Sequence, residues 1–201
     1  MKIKICGLFR EEDIDYANEA APDYAGFVFA ESKRHVSPIL AERLRARLSP
    51  TILSVGVFVD APVEDIAALY RGGVFSIVQL HGREDETFIR RLKTACGAPV
   101  IKAFRMNDEV FTHVHSTADY VLFDSGAGTG KVFNWRLMPQ PSSSRPVFLA
   151  GGIGLENIGR AIAQDPFCID VSSGAETNSV KDKEKMLALV RAVHLSRDVF
   201  I

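Results

Sequence analysis

KIKIC at residues 2–6 opens a series that decides the fold: YAGFVF at 24–29, ILSVGVFV at 52–59, FSIVQLH at 75–81, APVIKAF at 98–104, DYVLFD at 119–124, PVFLAGG at 146–152 and CIDVSSG at 168–174 follow it. Each run is short and apolar, the way strands buried on both faces of a parallel sheet read. Between them lie segments such as EEDIDYANEAA (11–21), SPILAERLRARL (37–48), VEDIAALYRGG (63–73) and DETFIRRLKTAC (85–96). Their apolar residues recur three or four positions apart, as on one face of a helix. Successive runs start roughly 21 to 28 residues apart, about the smallest unit that joins a strand, a crossover helix and two short loops. An open doubly wound sheet alternates in the same way. Eight equal units ending in a helix favour closure instead, so the expected fold class is α/β, a single eight-stranded parallel (β/α)8 TIM barrel over residues 1–201. The weakest helix is the sixth: GAGTGKVFNWRLMPQPSSSRP (126–146) is rich in Gly, Pro and Ser and leaves room for a short turn near Asn134–Met138, so it reads as a working loop.

Composition narrows the function. Of 201 residues, 47% are hydrophobic and 24% charged, and the net charge of −1 asks for neither nucleic acid nor a membrane surface, leaving a small molecule as the expected partner. MKIKICGLF lacks the apolar core and cleavage site of a signal peptide, and a cytoplasmic location is the expectation. Cys6, Cys96 and Cys168 fit neither a disulfide framework nor a CxxC metal site, so free thiols are expected. Nothing in the sequence demands an oligomer, and a monomer is expected.

Polar residues gather at strand ends, where a barrel builds its active site. Cys6 ends the first run, His81 the fourth and Asp124 the sixth; Gly151 and Gly152 follow the seventh, and Ser172, Ser173 and Gly174 close the eighth. Strand alternation puts Lys4 and Cys6 on one face, Asp170 and Ser172 on one face, and Leu122 with Asp124. In a closed barrel the eighth strand neighbours the first. An interior Lys4–Asp170 ion pair is therefore expected, because either charge alone inside would carry a heavy desolvation penalty. The glycine turns AGGIG (150–154) and SSG (172–174) read as a phosphate cup, since backbone N–H groups approach a ligand closely where no side chain intervenes. Taken alone, either turn also reads as an ordinary tight turn.

KICG (4–7), GFVF (26–29), SKRHVS (32–37), VGVFVD (55–60), VQLHG (78–82), LFDSGAGTGKVFNW (122–135), LAGGI (149–153), DVSSGAE (170–176) and the later KD (181–182) together resemble the phosphoribosylanthranilate isomerase family along the whole chain. The resemblance implies an Amadori rearrangement of an N-linked aldose to a 1-amino-1-deoxyketose, without cofactor or metal. It maps the general base onto Cys6, the general acid onto Asp124 and the contact to the anthranilate carboxylate onto Arg34. Both catalytic groups must then reverse their resting protonation states, with Lys4 favouring the thiolate and a partly desolvated strand end favouring the neutral acid. The chain departs from the family in TNSVKD, which lacks the usual Gly before KD, in the glycine loop after Asp124, which begins GAG and not a fuller glycine run, and in His35 where an aromatic is more usual.

Other readings compete residue by residue. Cys6 alone reads as a small buried hydrophobe, Asp124 as a loop cap, Arg34 as part of a solvated loop, and His81 either as a donor to a barrel carbonyl or as a substrate contact. Cys96 reads as a helix-end thiol, and Cys168 starts a strand far from the rim. A rival enzyme would use Lys102 in VIKAF as a Schiff-base lysine. An indole-glycerol-phosphate synthase would need a lysine on the rim. A phosphate-ligand binder without turnover is open to the same fold.

Overall fold

The computed structural model describes residues 1–106, 116–124, 135 and 145–196. Eight strands, β1 (Lys2–Cys6), β2 (Tyr24–Val28), β3 (Leu53–Phe58), β4 (Ile77–Leu80), β5 (Val100–Arg105), β6 (Tyr120–Asp124), β7 (Val147–Leu149) and β8 (Cys168–Val171), pair in parallel in chain order. β8 returns to β1, and the expected parallel barrel is closed. Outside it lie α1 (Glu11–Ala20), α2 (Pro38–Arg47), α3 (Val63–Arg71), α4 (Glu86–Cys96), the short α5 (Ile158–Ile162) and α6 (Lys183–Leu195). Apart from Trp135, the sixth-helix segment and its turn at Asn134–Met138 fall outside the described residues. No helix among the described residues is long and apolar enough to cross a membrane.

The continuous apolar runs divide into two buried layers because successive side chains point to opposite faces. Ile3, Ile5, Phe27, Val78, Leu80, Phe123, Ile169 and Val171 face the helices, whereas Val55, Val57, Ile77, Ile101, Leu122 and Phe148 fill the barrel. Each fully buried large side chain contributes about 1.5–3 kcal/mol. The alternation also sets Lys4 beside Asp170 in the β1–β8 register, with Nζ 2.9 Å from Oδ2 and Lys4 wholly buried. The expected interior ion pair is present.

The bottom of the barrel is shut by rings. Tyr24, Tyr120, Phe148 and Phe167 pack with centroids 5.5–5.8 Å apart, and Lys2 Nζ lies 5.3 Å from the Tyr24 and Phe167 centroids. Cys168 lies in this buried interior layer, away from the mouth as expected. At the other end, side-chain caps begin the helices: Ser37 accepts from Leu40 N–H, Asp85 from Phe88 N–H and Asp182 from Lys185 N–H. After β8 the chain forms a hairpin the sequence reading did not anticipate, β9 (Glu176–Thr177) against β10 (Val180–Lys181), turning on Asn178 (φ 52°) and Ser179 (φ 66°).

Candidate active site

A cavity of about 400 Å³ opens at the strand C-termini, within the usual range for small-molecule sites. Cys6, Arg34, His81, Asp124, Gly151, Gly152, Ser172 and Ser173 all line it. Gly174 stands behind the wall: it bridges Gly154, and a Cβ built on it would lie 2.0 Å from the Ile153 carbonyl oxygen.

Cys6 is the last residue of β1 and is 8% exposed. Its room comes from the neighbouring strand, since a Cβ on Gly26 would stand 2.8 Å from Cys6 Sγ. Burial pushes the thiol above its ordinary range, while the Lys4 ammonium pulls it down. Lys4 thus favours the thiolate, as expected, and burial opposes it more strongly. Lys4 is itself held charged despite its burial, by Asp170 first and Cys6 second, so its field is largely spent on the carboxylate beside it.

Asp124 ends β6 across the mouth. His81 Nε2 is 3.2 Å from its Oδ2, and Gln79 Nε2 is 2.9 Å from His81 Nδ1. With the Gln79 amide assigned as donor to Nδ1, the imidazole proton sits on Nε2 and is donated to Asp124. His81 therefore engages the carboxylate, not a barrel carbonyl. Gln79 precedes His81 by two positions and shares its face, so alternation alone would have located it.

Arg34 comes from the loop before α2 and is clamped on two sides. Gly7, at φ 79°, has Arg34 Cδ where its own Cβ would be, at 2.4 Å. Opposite, Arg34 Nε and Nη2 donate to Glu176 Oε1 and Oε2 at 2.6 and 2.9 Å, a two-pronged pair. Lys181, on β10, donates to Glu176 Oε1 at 2.7 Å and to the Ser172 carbonyl at 3.1 Å. Burial raises the Glu176 carboxyl, but the Arg34 and Lys181 bonds outweigh it and hold the group at about 2. Glu176 and Lys181 lie inside motifs read from the sequence, DVSSGAE and KD, yet no sequence signal said that they meet Arg34.

The loops after β7 and β8 meet beside this cluster. Gly151 (φ 95°) and Gly152 (φ 61°) adopt a left-handed backbone that a side chain would resist. Asn157 braces them, donating Nδ2 to the Gly152 carbonyl at 2.8 Å and accepting from Gly154 N–H at 2.9 Å. Ser172 Oγ donates to the Cys6 carbonyl at 3.2 Å and ties this wall to β1.

Lys102 does not enter the site. It alternates with the inward Ile101 and Ala103, points outward, and donates to Glu84 Oε2 and the Gly82 carbonyl, both at 2.8 Å. That position removes the Schiff-base reading.

A family model described as N-(5'-phosphoribosyl)anthranilate (PRA) isomerase matches residues 3–192. A curated relative from Endomicrobium trichonymphae, N-(5'-phosphoribosyl)anthranilate isomerase, is 46% identical over 196 residues, covering 94% of this chain and 96% of its own. The crystal structure of phosphoribosyl anthranilate isomerase from Thermus thermophilus superposes with a TM-score of 0.84 at 31% identity, over 97% of this chain and 99% of that one. A phosphoribosyl anthranilate isomerase in complex with reduced 1-(o-carboxyphenylamino)-1-deoxyribulose 5-phosphate superposes with a TM-score of 0.76 at 29% identity, over 96% of this chain and 98% of that one.

Proposed function

The chain belongs to the N-(5'-phosphoribosyl)anthranilate isomerase family of tryptophan biosynthesis, and from that premise we propose that Asp124 and Cys6 perform its aldose–ketose isomerisation as general acid and general base. The observation that carries the reading is their convergence, from β6 and β1, on one cavity that also holds Arg34 and the two glycine turns.

Opening a ribofuranose requires a proton on the ring oxygen as the anomeric C–O bond breaks. Asp124 supplies it, while the anilino nitrogen donates its electron pair to C1 and becomes a protonated imine. That cation acidifies the C2 hydrogen. Cys6 removes it as thiolate, and the resulting enolamine tautomerises to the ketone. The substrate amine is its own electron sink, so the chemistry needs no added cofactor. The pair shares one proton, which must sit on Asp124 and not on Cys6 at the start. Burial opposes that ionised thiol, and the neighbouring Lys4 ammonium is the charge that favours it. His81, fixed by Gln79, holds the Asp124 carboxyl toward the cavity.

At the ends of the substrate, Arg34 receives the anthranilate carboxylate, and the loops at Gly151–Gly152 and Ser172–Ser173, backed by Gly174, receive the phosphate. A monomer is the proposed state, checked by sedimentation velocity, where a species of twice the chain mass would overturn it. Unpaired cysteines at all three positions suit a reducing cytoplasm.

The test follows loss of substrate fluorescence with freshly generated phosphoribosylanthranilate. Cys6→Ala and Asp124→Asn should each lower kcat by about a hundred- to ten-thousand-fold. Turnover near the wild-type rate in either variant would overturn the assignment.

A further inference from the structure

The chemistry above leaves one part of the KD motif without a role. Asp182 is the N-cap of α6, its carboxylate accepting from Lys185 N–H. Lys181 is 2% exposed, where an apolar side chain would pack without the desolvation an ammonium suffers. It stands instead against Glu176, its Nζ donating at 2.7 Å to Oε1, the oxygen that also accepts from Arg34 Nε at 2.6 Å.

Counting charge explains the arrangement. Arg34 and Glu176 alone would sum to zero, and a guanidinium whose field is cancelled at 2.6–2.9 Å attracts an anion weakly. With Lys181 the trio carries one net positive charge. Arg34 is the member that lines the cavity, whereas Glu176 and Lys181 stand behind it. Two of the five guanidinium N–H groups go to Glu176, and three remain for a ligand. We infer that Lys181 is a positioning residue of the carboxylate subsite: it neutralises Glu176, so that Glu176 aims Arg34 without cancelling its charge. The inference rests on the reading that Arg34 receives the substrate carboxylate. It makes a compact monoanion the ligand preferred at this end of the cavity.

The experiment titrates the reduced product analogue, 1-(o-carboxyphenylamino)-1-deoxyribitol 5-phosphate, and its carboxamide counterpart against four proteins, reading the ratio of the two affinities. Wild type should prefer the carboxylate, and Arg34→Ala should abolish the preference. Lys181→Met should cut it by about tenfold, the effect of one unit charge a few ångströms away in partly screened surroundings. Glu176→Gln/Lys181→Met restores a net charge of +1 on Arg34 and should return the preference to within about threefold of wild type. A prop without an electrostatic role would leave the ratio unmoved in Lys181→Met, or make the double variant no better than the single; either result overturns the inference. Should Lys181→Met fail to fold, the double variant decides, because it removes both buried charges together and loss of the preference there rejects the idea. If Arg34→Ala keeps the full preference, the underlying reading of Arg34 is what has failed.

Discussion

Single residues around Cys6 set the conditions for its chemistry. Lys4→Met leaves Asp170 as an uncompensated charge in the barrel interior and is expected to destabilise the fold by about 3–5 kcal/mol in urea titration. Adding Asp170→Leu should recover most of the loss; equal instability in the double variant would argue that packing, not charge, is at stake. Gly26→Ala tests geometry, since the new methyl would stand 2.8 Å from Cys6 Sγ. The thiol must move, and a shift near 1 Å should lower kcat/KM by about a hundredfold while circular dichroism stays that of wild type. Unchanged kcat/KM would show that the Cys6 side chain can shift without moving Sγ from the substrate. The positions of Cys6, His81 and Asp124 were legible as polar strand ends. Gly26 was not, because a glycine inside GFVF carries no sign of the side chain it makes way for on the adjacent strand.

At the scale of elements, the β9–β10 hairpin joins the site to α6. Its two-residue turn has both central residues at positive φ, the mirror-image turn that favours Asn followed by Gly, yet Ser179 occupies the second position. Ser179→Gly should therefore raise stability by about 1 kcal/mol, seen as a higher Tm, even though it removes the exposed bond from Lys33 Nζ to Ser179 Oγ. A lower Tm would mean that this bond outweighs the backbone strain. Gly174→Ala acts on the pair of loops, because the added methyl would collide with the Ile153 carbonyl and pry the turns after β7 and β8 apart. Its expected mark is a raised KM and weakened binding of inorganic phosphate, with kcat little changed. The departure at TNSVKD was visible in the sequence as a missing glycine. That the segment folds back to carry Glu176 and Lys181 against Arg34 was not, since two-residue strands leave no periodicity to read.

For the molecule as a whole, acid stability follows from the same cluster. The Glu176 carboxyl is at about 2 when folded against 4.5 in the unfolded chain. A depressed carboxylate contributes stability that is full above the unfolded value and drains away as pH falls from 4.5 toward 2. Glu176→Gln should flatten the dependence of urea midpoint on pH across that window, and an unaltered slope would exclude Glu176 as a contributor. The closed barrel itself was determined by sequence: eight apolar runs at near-equal spacing can bury both faces and leave no open edge only by closing. Strand parity likewise determined the Lys4–Asp170 pair and the mouth residues, because alternation is a local property of the chain. Tertiary structure alone decided the upward push of burial on the Cys6 thiol, the outward turn of Lys102, and the meeting of Arg34 with Gly7, Glu176 and Lys181. Those depend on distances between segments far apart in the chain, and electrostatic energy is set by such distances and by burial, neither of which a linear pattern encodes.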